Sequence, residues 1–321
     1  MDIQKIGPIE VIKGQRNSKV PFSTSILVKG NEADGLIDCG TGEEGFSYLN
    51  DYYDIQHLLL THYHIDHVWG SMYYPNAKVF VNRIDAPKLN NPEWLAKAMG
   101  IRALMGESEL DKWLNASNQG HSYQDVLARE KEIYPYDETF TLAGRKIQML
   151  HAPGHCEGFC CPYFPEEGVL VVGDYDLTSF GPWYNNADSD IDQLITSGEM
   201  TLNIDADYYV TSHHKGIFSR KEYEIALDNY LAIVEKRERK IIQLFKEGTA
   251  IGDLIHREVF YLNRNIAADP NFLRFEIMGI AKHLKRLAKQ NPYYEDHYQS
   301  FISYHMADPK YSEFFIEATT I

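Results

Sequence analysis

The chain has 321 residues, 44% of them hydrophobic, enough for one large domain or a domain with additions. A formal net charge of −15 opposes a nucleic-acid surface, and no apolar run of about 18 residues marks a membrane span. Four cysteines are too few for a disulfide framework and Met-Asp-Ile-Gln-Lys lacks the apolar core of a signal peptide, so a cytoplasmic setting is expected.

Ile9–Ile12, Thr24–Val28 and Gly35–Ile37 read as short strands between polar or Gly-containing turns. The third runs into Asp38-Cys39-Gly40-Thr41-Gly42, and Glu43–Tyr52 follows as a helix with Phe46, Leu49 and Tyr53 on one face. Leu58-Leu59-Leu60-Thr61 then reads as the end of a buried strand. Directly behind it stand His62, His64, Asp66 and His67. Buried polar groups cost free energy unless each finds a partner, and a metal ion would satisfy all four. Nitrogen and oxygen donors without a thiolate suit Zn²⁺, and also Fe²⁺ or Mn²⁺. The residues between the donors turn them in different directions, so one tight loop can serve two adjacent ions. A helix starting at His67 and running through Val68–Tyr74 is expected next, ended by Pro75, and then a strand at Lys78–Val81. Strand, helix and strand in alternation point to a layered α/β domain.

From residue 84 to 133 the pattern turns helical, with expected helices at Pro92–Met105, Ser108–Asn115 and Tyr123–Ile133 and breaks at Gly106 and Asn118-Gln119-Gly120. This block is an insertion between strands. Trp94, Met99, Leu104, Met105 and Trp113 are expected to include substrate-facing residues. A hairpin at Leu142-Ala143-Gly144-Arg145 leads into a strand over Lys146–Leu150, followed by His151-Ala152-Pro153-Gly154-His155-Cys156. The Pro-Gly turn can aim His155 back at the loop of residues 62–67; His151 and Cys156 read as structural. Strands at Phe159–Phe164 and Gly168–Val172 deliver Gly173-Asp174. The loop from Tyr175 to Asn186 should border the site, so Tyr175, Trp183 and Tyr184 are candidate substrate contacts, a tyrosine hydroxyl being able to stabilise an oxyanion.

A helix over Asp192–Leu202 precedes the last expected strand, Tyr208–Thr211, which ends in Ser212-His213-His214. Ser219 is a helix N-cap with Glu222 at the capping-box position. Tyr223, Leu227, Tyr230, Val234, Ile241 and Phe245 carry a helical stripe behind it, and two further helices are expected near Thr249 and over Phe272–Leu287. The stretch from Tyr293 to Ile321 is aromatic without clear periodicity and reads as wrapping the body or making a homo-oligomer contact. His256, His283, His297 and His305 lack ligand spacing and read as structural.

His-x-His-x-Asp-His after an apolar strand resembles the signature of the metallo-β-lactamase superfamily of hydrolases. Asp38, Pro153-Gly154-His155, Gly173-Asp174 and His213 occur in the order of its other motifs, over Ile9 to Gly216. The resemblance implies a four-layer αβ/βα sandwich over residues 1–218, with a helical insertion at about 84–133, and a C-terminal helical extension over 219–321. It implies two divalent ions at one sheet edge, Zn²⁺ foremost and Fe or Mn as alternatives. By the same resemblance His62, His64 and His155 hold the first ion, Asp66, His67 and His213 the second, and Asp174 bridges them. Asp38 then supports the loop by hydrogen bonding. The last motif is commonly Pro-Gly-His-Gly; aligning Ser212 with the glycine before the histidine selects His213, with His214 the alternative. The implied chemistry is metal-bound hydroxide attacking an ester-like bond, with Asp66 orienting it. A lactone, thioester or other carboxylic ester is favoured by the aromatic-rich insertion, with a phosphodiester as an alternative, so the partner is a small-molecule substrate. Two other classes remain: an iron-dependent oxidoreductase, although the di-iron type typically has Glu where His64 stands, and a partner-binding sensor that retains the site.

Overall fold

The computed structural model describes residues 2–116, 122–261 and 268–306. Among the described residues thirteen strands form two sheets. The first holds β1 (Ile3–Ile6), β2 (Ile9–Ile12), β3 (Ser25–Val28), β4 (Asp34–Ile37), β5 (Ile55–Leu59), β6 (Lys78–Val81) and β7 (Lys131–Ile133), in that spatial order. β1 to β4 are antiparallel and β4 to β7 parallel. The second holds β8 (Thr139–Leu142), β9 (Arg145–His151), β10 (Cys160–Phe164), β11 (Val169–Gly173), β12 (Tyr208–Thr211) and β13 (Ile217–Ser219), running from β13 to β8 across the sheet. Only its β11–β12 pair is parallel.

Side chains alternate across each strand, and here both faces are covered. Ile9, Val11, Ile26, Val28, Ile37 and Leu59 of the first sheet pack against Ile147, Met149, Phe164, Val169, Val171 and Val210 of the second. The residues between them, Leu27, Leu36 and Leu58 on one side and Leu170 and Val172 on the other, face the helices. That is why the strands read as unbroken apolar runs, and it produces helix, sheet, sheet, helix layering. The Glu43–Tyr52 helix shows how an outer layer is held. Phe46 is fully buried, stacked on Tyr73 with centroids 4.4 Å apart and edge-on to Trp69 at 5.0 Å. Burying such a ring contributes about 1.5–3 kcal/mol.

Several elements differ from the sequence expectation. The helix expected over Tyr123–Ile133 spans only Gln124–Ala128, and Lys131–Ile133 is the edge strand β7. Arg129 is extended there and donates to the Ser71 and Ala77 carbonyls, which ends the helix, while β6 offers a free edge for parallel pairing. Pro92–Met105 splits into helices at Pro92–Ala98 and Ile101–Met105. The break is Gly100, left-handed at φ +72°, where an added Cβ would lie 2.7 Å from Met278 Cε. The helix expected from His67 begins at Ile65 and passes into a 3₁₀ turn over Trp69–Tyr73. β12 is not the last strand, since Gly216 at φ +88° turns the chain back to pair β13 with it. β1 was not expected at all. The break at Asn118-Gln119-Gly120 and the tail beyond residue 306 lie outside the described residues.

The capping box at Ser219 and Glu222 opens the long Arg220–Lys246 helix, and Pro270–Gln290 and Glu295–His305 follow. Ile277, Met278 and Leu284 share one core with Tyr184 and Ala187 of the body. The residues after β4, β5, β9, β11 and β12 converge at one edge of the two sheets, the place where α/β folds gather their functional groups.

Candidate metal centre

β5 ends at Leu59, and the chain leaves the sheet through Leu60 and Thr61 into His62. His64 is extended, at φ −62° and ψ 145°, and caps the Ile65–Val68 turn that carries Asp66 and His67. His155 arrives after β9, where Gly154 at φ +131° lets the backbone pass against Leu194; an added Cβ would lie 2.1 Å from the Leu194 nitrogen. Asp174 follows β11, and His213 follows β12. All five histidines, with Asp66, are at least nine-tenths buried.

These donors fall into overlapping groups. His62, His64, His155 and Asp174 offer atoms that all lie within 4.8 Å of one another, and so do Asp66, His67 and His213. Asp174 Oδ2 is 3.1 Å from His155 Nε2 and 3.8 Å from His62 Nε2, while its Oδ1 is 3.0 Å from His67 Nε2 and 3.7 Å from His213 Nε2. One carboxylate therefore faces both groups.

The outward nitrogen of each ring is already held. His67 Nδ1–H donates to Asp38 Oδ2 at 2.7 Å, and Thr61 donates to the same carboxylate through its backbone N–H and its hydroxyl, both at 2.8 Å. The Thr61 oxygen in turn accepts from His62 Nδ1 at 3.0 Å. His155 Nδ1–H donates to the Trp183 carbonyl at 3.0 Å, and His213 Nδ1–H to the Ser18 carbonyl at 2.5 Å. His64 Nε2 meets the Asn186 side-chain amide at 2.9 Å. Such partners set the tautomer and aim the other nitrogen inward. Inward, His64 Nδ1 and His155 Nε2 meet each other at 2.9 Å, whereas His62 Nε2, His67 Nε2 and Asp174 Oδ1 are buried and make no hydrogen bond among the described residues. Leaving such atoms unpaired costs free energy that a divalent cation would return. The donor set, imidazole and carboxylate with no thiolate, fits a divalent ion of the Zn²⁺, Fe²⁺ or Mn²⁺ kind.

The electrostatics agree. Burial depresses His62 and His64 well below the usual imidazole value, reinforced by neighbouring imidazoles, which keeps them neutral and able to coordinate. Burial alone would raise Asp174, but His67, His155 and His213 hold it well below the carboxylate range. Burial would likewise lower His67 and His213, yet surrounding carboxylates raise both, His213 to about 10.

Two features lay beyond the sequence reading. Asp176 shares a group with Asp174 and His213, and burial together with Asp174 pushes it up to about 7. The Asp-x-Asp spacing after β11 was its only signal. The other is a left-handed turn at Arg16, Asn17 and Ser18, with φ of 54°, 60° and 51°, which presents the Ser18 carbonyl to His213. Left-handed backbone without glycine costs roughly 1–2 kcal/mol per residue, and nothing in the residue types announces it.

Of the expected substrate contacts, only Trp183 borders the cluster, its ring 5.3 Å from His64 and 5.5 Å from His155. Tyr184 is fully buried, with its hydroxyl between His283 Nε2 and Arg237 Nη1, and Tyr175 donates to the Leu194 carbonyl. Both hydroxyls are engaged in packing, so neither is directed at the cluster. His214 turns away in a left-handed conformation at φ 60°, while His213 joins the site. His151 Nε2 meets the Glu157 carbonyl at 2.9 Å and the ring stacks on Tyr136, and Cys156 is a buried free thiol raised by burial. Among the insertion residues, Leu104 is buried, Met99, Met105 and Trp113 pack against the core, and Trp94 is 37% exposed.

Over residues 19–213 the chain matches the model of the Metallo-beta-lactamase superfamily. A metallo-beta-lactamase family protein from Thermus thermophilus superposes with a TM-score of 0.59 at 17% identity, covering 88% of this chain and 94% of that one. A beta-lactamase domain protein from Burkholderia ambifaria gives 0.63 at 14% identity, covering 90% of each chain. Among curated proteins, an atrochrysone carboxyl ACP thioesterase of Pseudocercospora fijiensis is 24% identical over 175 residues, 51% of this chain. The chain spans 40% of that relative's length.

Proposed function

The chain belongs to the metallo-beta-lactamase superfamily, and from there we propose that it is a dinuclear metal-dependent hydrolase of a small carboxylic ester, thioester or lactone. The observation that carries this reading is the set of buried, unpartnered donor atoms converging from the strand ends, shared by one carboxylate. His62, His64 and His155 would hold one ion and Asp66, His67 and His213 the other, with Asp174 common to both. Bound divalent ions supply an acidified water and polarise a carbonyl or phosphoryl oxygen.

The chain's own residues do the rest. Asp38, Thr61 and the Trp183 and Ser18 carbonyls hold the outer Nδ1 of His67, His62, His155 and His213 and so aim each Nε2 inward, while the Asn186 amide fixes the His64 ring through its Nε2. Asp66, 3.5 Å from His213, presents a carboxylate at the centre that can orient a water and accept its proton. Trp183 borders the cluster edge-on to His64, with ring centroids 5.3 Å apart. Zn²⁺ is the ion we favour, in keeping with the thiolate-free, histidine-rich donors. The net charge of −15 supports a small-molecule substrate over a nucleic acid, and the thioesterase named among the relatives supports the ester and thioester classes over a phosphodiester. No helix among the described residues is long and apolar enough to cross a membrane; a cytoplasmic location stays a proposal.

The test is metal content by mass spectrometry on protein purified without added metal or chelator, with the same preparation assayed on lactones, thioesters and phosphodiesters. About two zinc ions per chain and turnover of one ester class are expected. Iron with oxygen uptake and no hydrolysis would replace this reading with an oxidoreductase.

A further inference from the structure

We propose that Arg274 of the Pro270–Gln290 helix anchors a carboxylate on the substrate, whose apolar part lies in the groove between that helix and the insertion. The inference rests on the hydrolase reading above and narrows its substrate to esters or thioesters of an acid that carries a second, anionic group.

Arg274 is only 4% exposed, yet no carboxylate pairs with it among the described residues. Its Nη1 donates to the Met99 carbonyl and to Asn186 Oδ1 at 3.3 Å, and its Nε has no partner among the described residues. Other buried cations are provided for. Lys88 lies between Asp85 at 3.0 Å and Asp188 at 2.8 Å. Arg237 lacks a carboxylate too, but donates to the Pro182 and Phe180 carbonyls and the Tyr184 hydroxyl. A guanidinium left with an idle donor in a dry place is an anion site waiting for its ligand, because the planar fork matches a carboxylate.

The insertion holds a second unused donor: Tyr123 is 6% exposed and its hydroxyl has no partner among the described residues.

Arg274 is one residue removed from the metal centre. Asn186, which accepts from it, meets His64 at 2.9 Å. Its guanidinium also lies 4.4 Å from the Phe275 ring, which abuts Trp183 at 5.2 Å. Arg274 also lines a groove of about 260 Å³ whose apolar walls include Leu104, Met105, Leu273 and Ile277. Glu109 also lines this groove but is paired with Lys112.

The experiment compares two esters of equal chain length on the metal-replete enzyme, the 4-nitrophenyl monoester of glutarate and 4-nitrophenyl pentanoate. Wild type should prefer the anionic ester in kcat/KM by about tenfold or more, the worth of one charge-assisted pair. In Arg274→Gln that ratio should collapse toward one through KM, Arg274→Lys should keep part of it, and Tyr123→Phe should lower it about threefold. A wild-type ratio near one, or a ratio untouched in Arg274→Gln, overturns the proposal. Should Arg274→Gln not fold, the Lys and Phe variants decide by the same ratio. Absence of hydrolysis of both esters would count against the hydrolase reading alone. Calorimetry with 5-phenylpentanoate and its neutral amide then judges Arg274 separately: a wild-type preference for the acid that Arg274→Gln loses supports the anchor, and equal preference in both overturns it.

Discussion

Two buried polar clusters in this chain use the same side chains and end in opposite states. Under the C-terminal helices, His283 is fully buried with its Nε2 2.8 Å from the Tyr184 hydroxyl and its Nδ1 3.4 Å from Glu238. Glu238 accepts from Arg286 at 2.7 Å, and Tyr184 accepts from Arg237 at 2.9 Å. Each polar group there answers another. At the edge of the sheets the outer nitrogens are answered, while His62 Nε2, His67 Nε2 and Asp174 Oδ1 on the inner side are not, among the described residues. Burial of histidine beside an acid therefore does not identify a ligand; convergence of unanswered atoms does. The first arrangement holds helices on the body, and the second is built to be completed from outside.

The largest expected effect tests that contrast directly. Asp174→Ala removes the one carboxylate shared by both donor groups, so bound metal and activity should vanish together while the fold persists, as read by mass spectrometry, turnover and circular dichroism. An active, metal-free Asp174→Ala protein would sink the site assignment. Glu238→Ala makes the opposite cut. It leaves the fully buried His283 Nδ1 without its partner, while Arg286 keeps Asp192 at 2.6 Å and Glu235 at 3.2 Å, and stranding one buried polar group costs about 1–3 kcal/mol. Thermal unfolding should show a marked drop in Tm with the metal per folded chain unchanged. A smaller change lies behind the centre: Asp38→Asn keeps the shape but weakens the acceptor for His67 Nδ1. Metal affinity should fall roughly 10–100-fold with little change in Tm, checked by competition with a chelator.

How much of this could be read from residues depends on how local the cause is. His62, His64, Asp66 and His67 lie in one stretch after an apolar strand, so their density alone exposes them. The Leu142–Arg145 hairpin was legible for the same reason: Ala143 and Gly144 take positive φ in a two-residue turn, which Gly favours. So was the capping box at Ser219, whose two partners are three residues apart. What escaped is set by distant contacts. Lys131–Ile133 becomes a strand because β6 has an open edge, and the Arg16–Ser18 turn is held by what it meets, 195 residues away at His213. Tyr175 and Tyr184 were placed by proximity in sequence to Asp174, but a side chain's direction follows its packing partners. Arg274 had no signal in a charged, amphipathic helix, and only its burial with no carboxylate beside it and an idle Nε, among the described residues, distinguishes it.

The smallest effect concerns a histidine that belongs to neither state. His305, at the end of the Glu295–His305 helix, has a buried Nε2 that, among the described residues, has no partner and no other donor converging on it. Burial is the main cause that lowers its pKa to about 4. Because the folded value lies below the unfolded one of about 6.5, the unfolded chain takes up the proton first as pH falls. Stability from this site is therefore complete above about pH 6.5 and drains away on acidification toward pH 4. The position is only half-buried, so solvent screening keeps the effect to a fraction of about 1 kcal/mol. His305→Gln should make Tm less steeply dependent on pH between 6.5 and 4, while metal content at pH 7.5 stays that of wild type. An unaltered slope would mean the lone nitrogen finds water and carries no linkage. A change in metal content would mean that the two clusters are coupled through the helices, and the contrast between a self-satisfied network and an unfinished one would no longer divide the molecule cleanly.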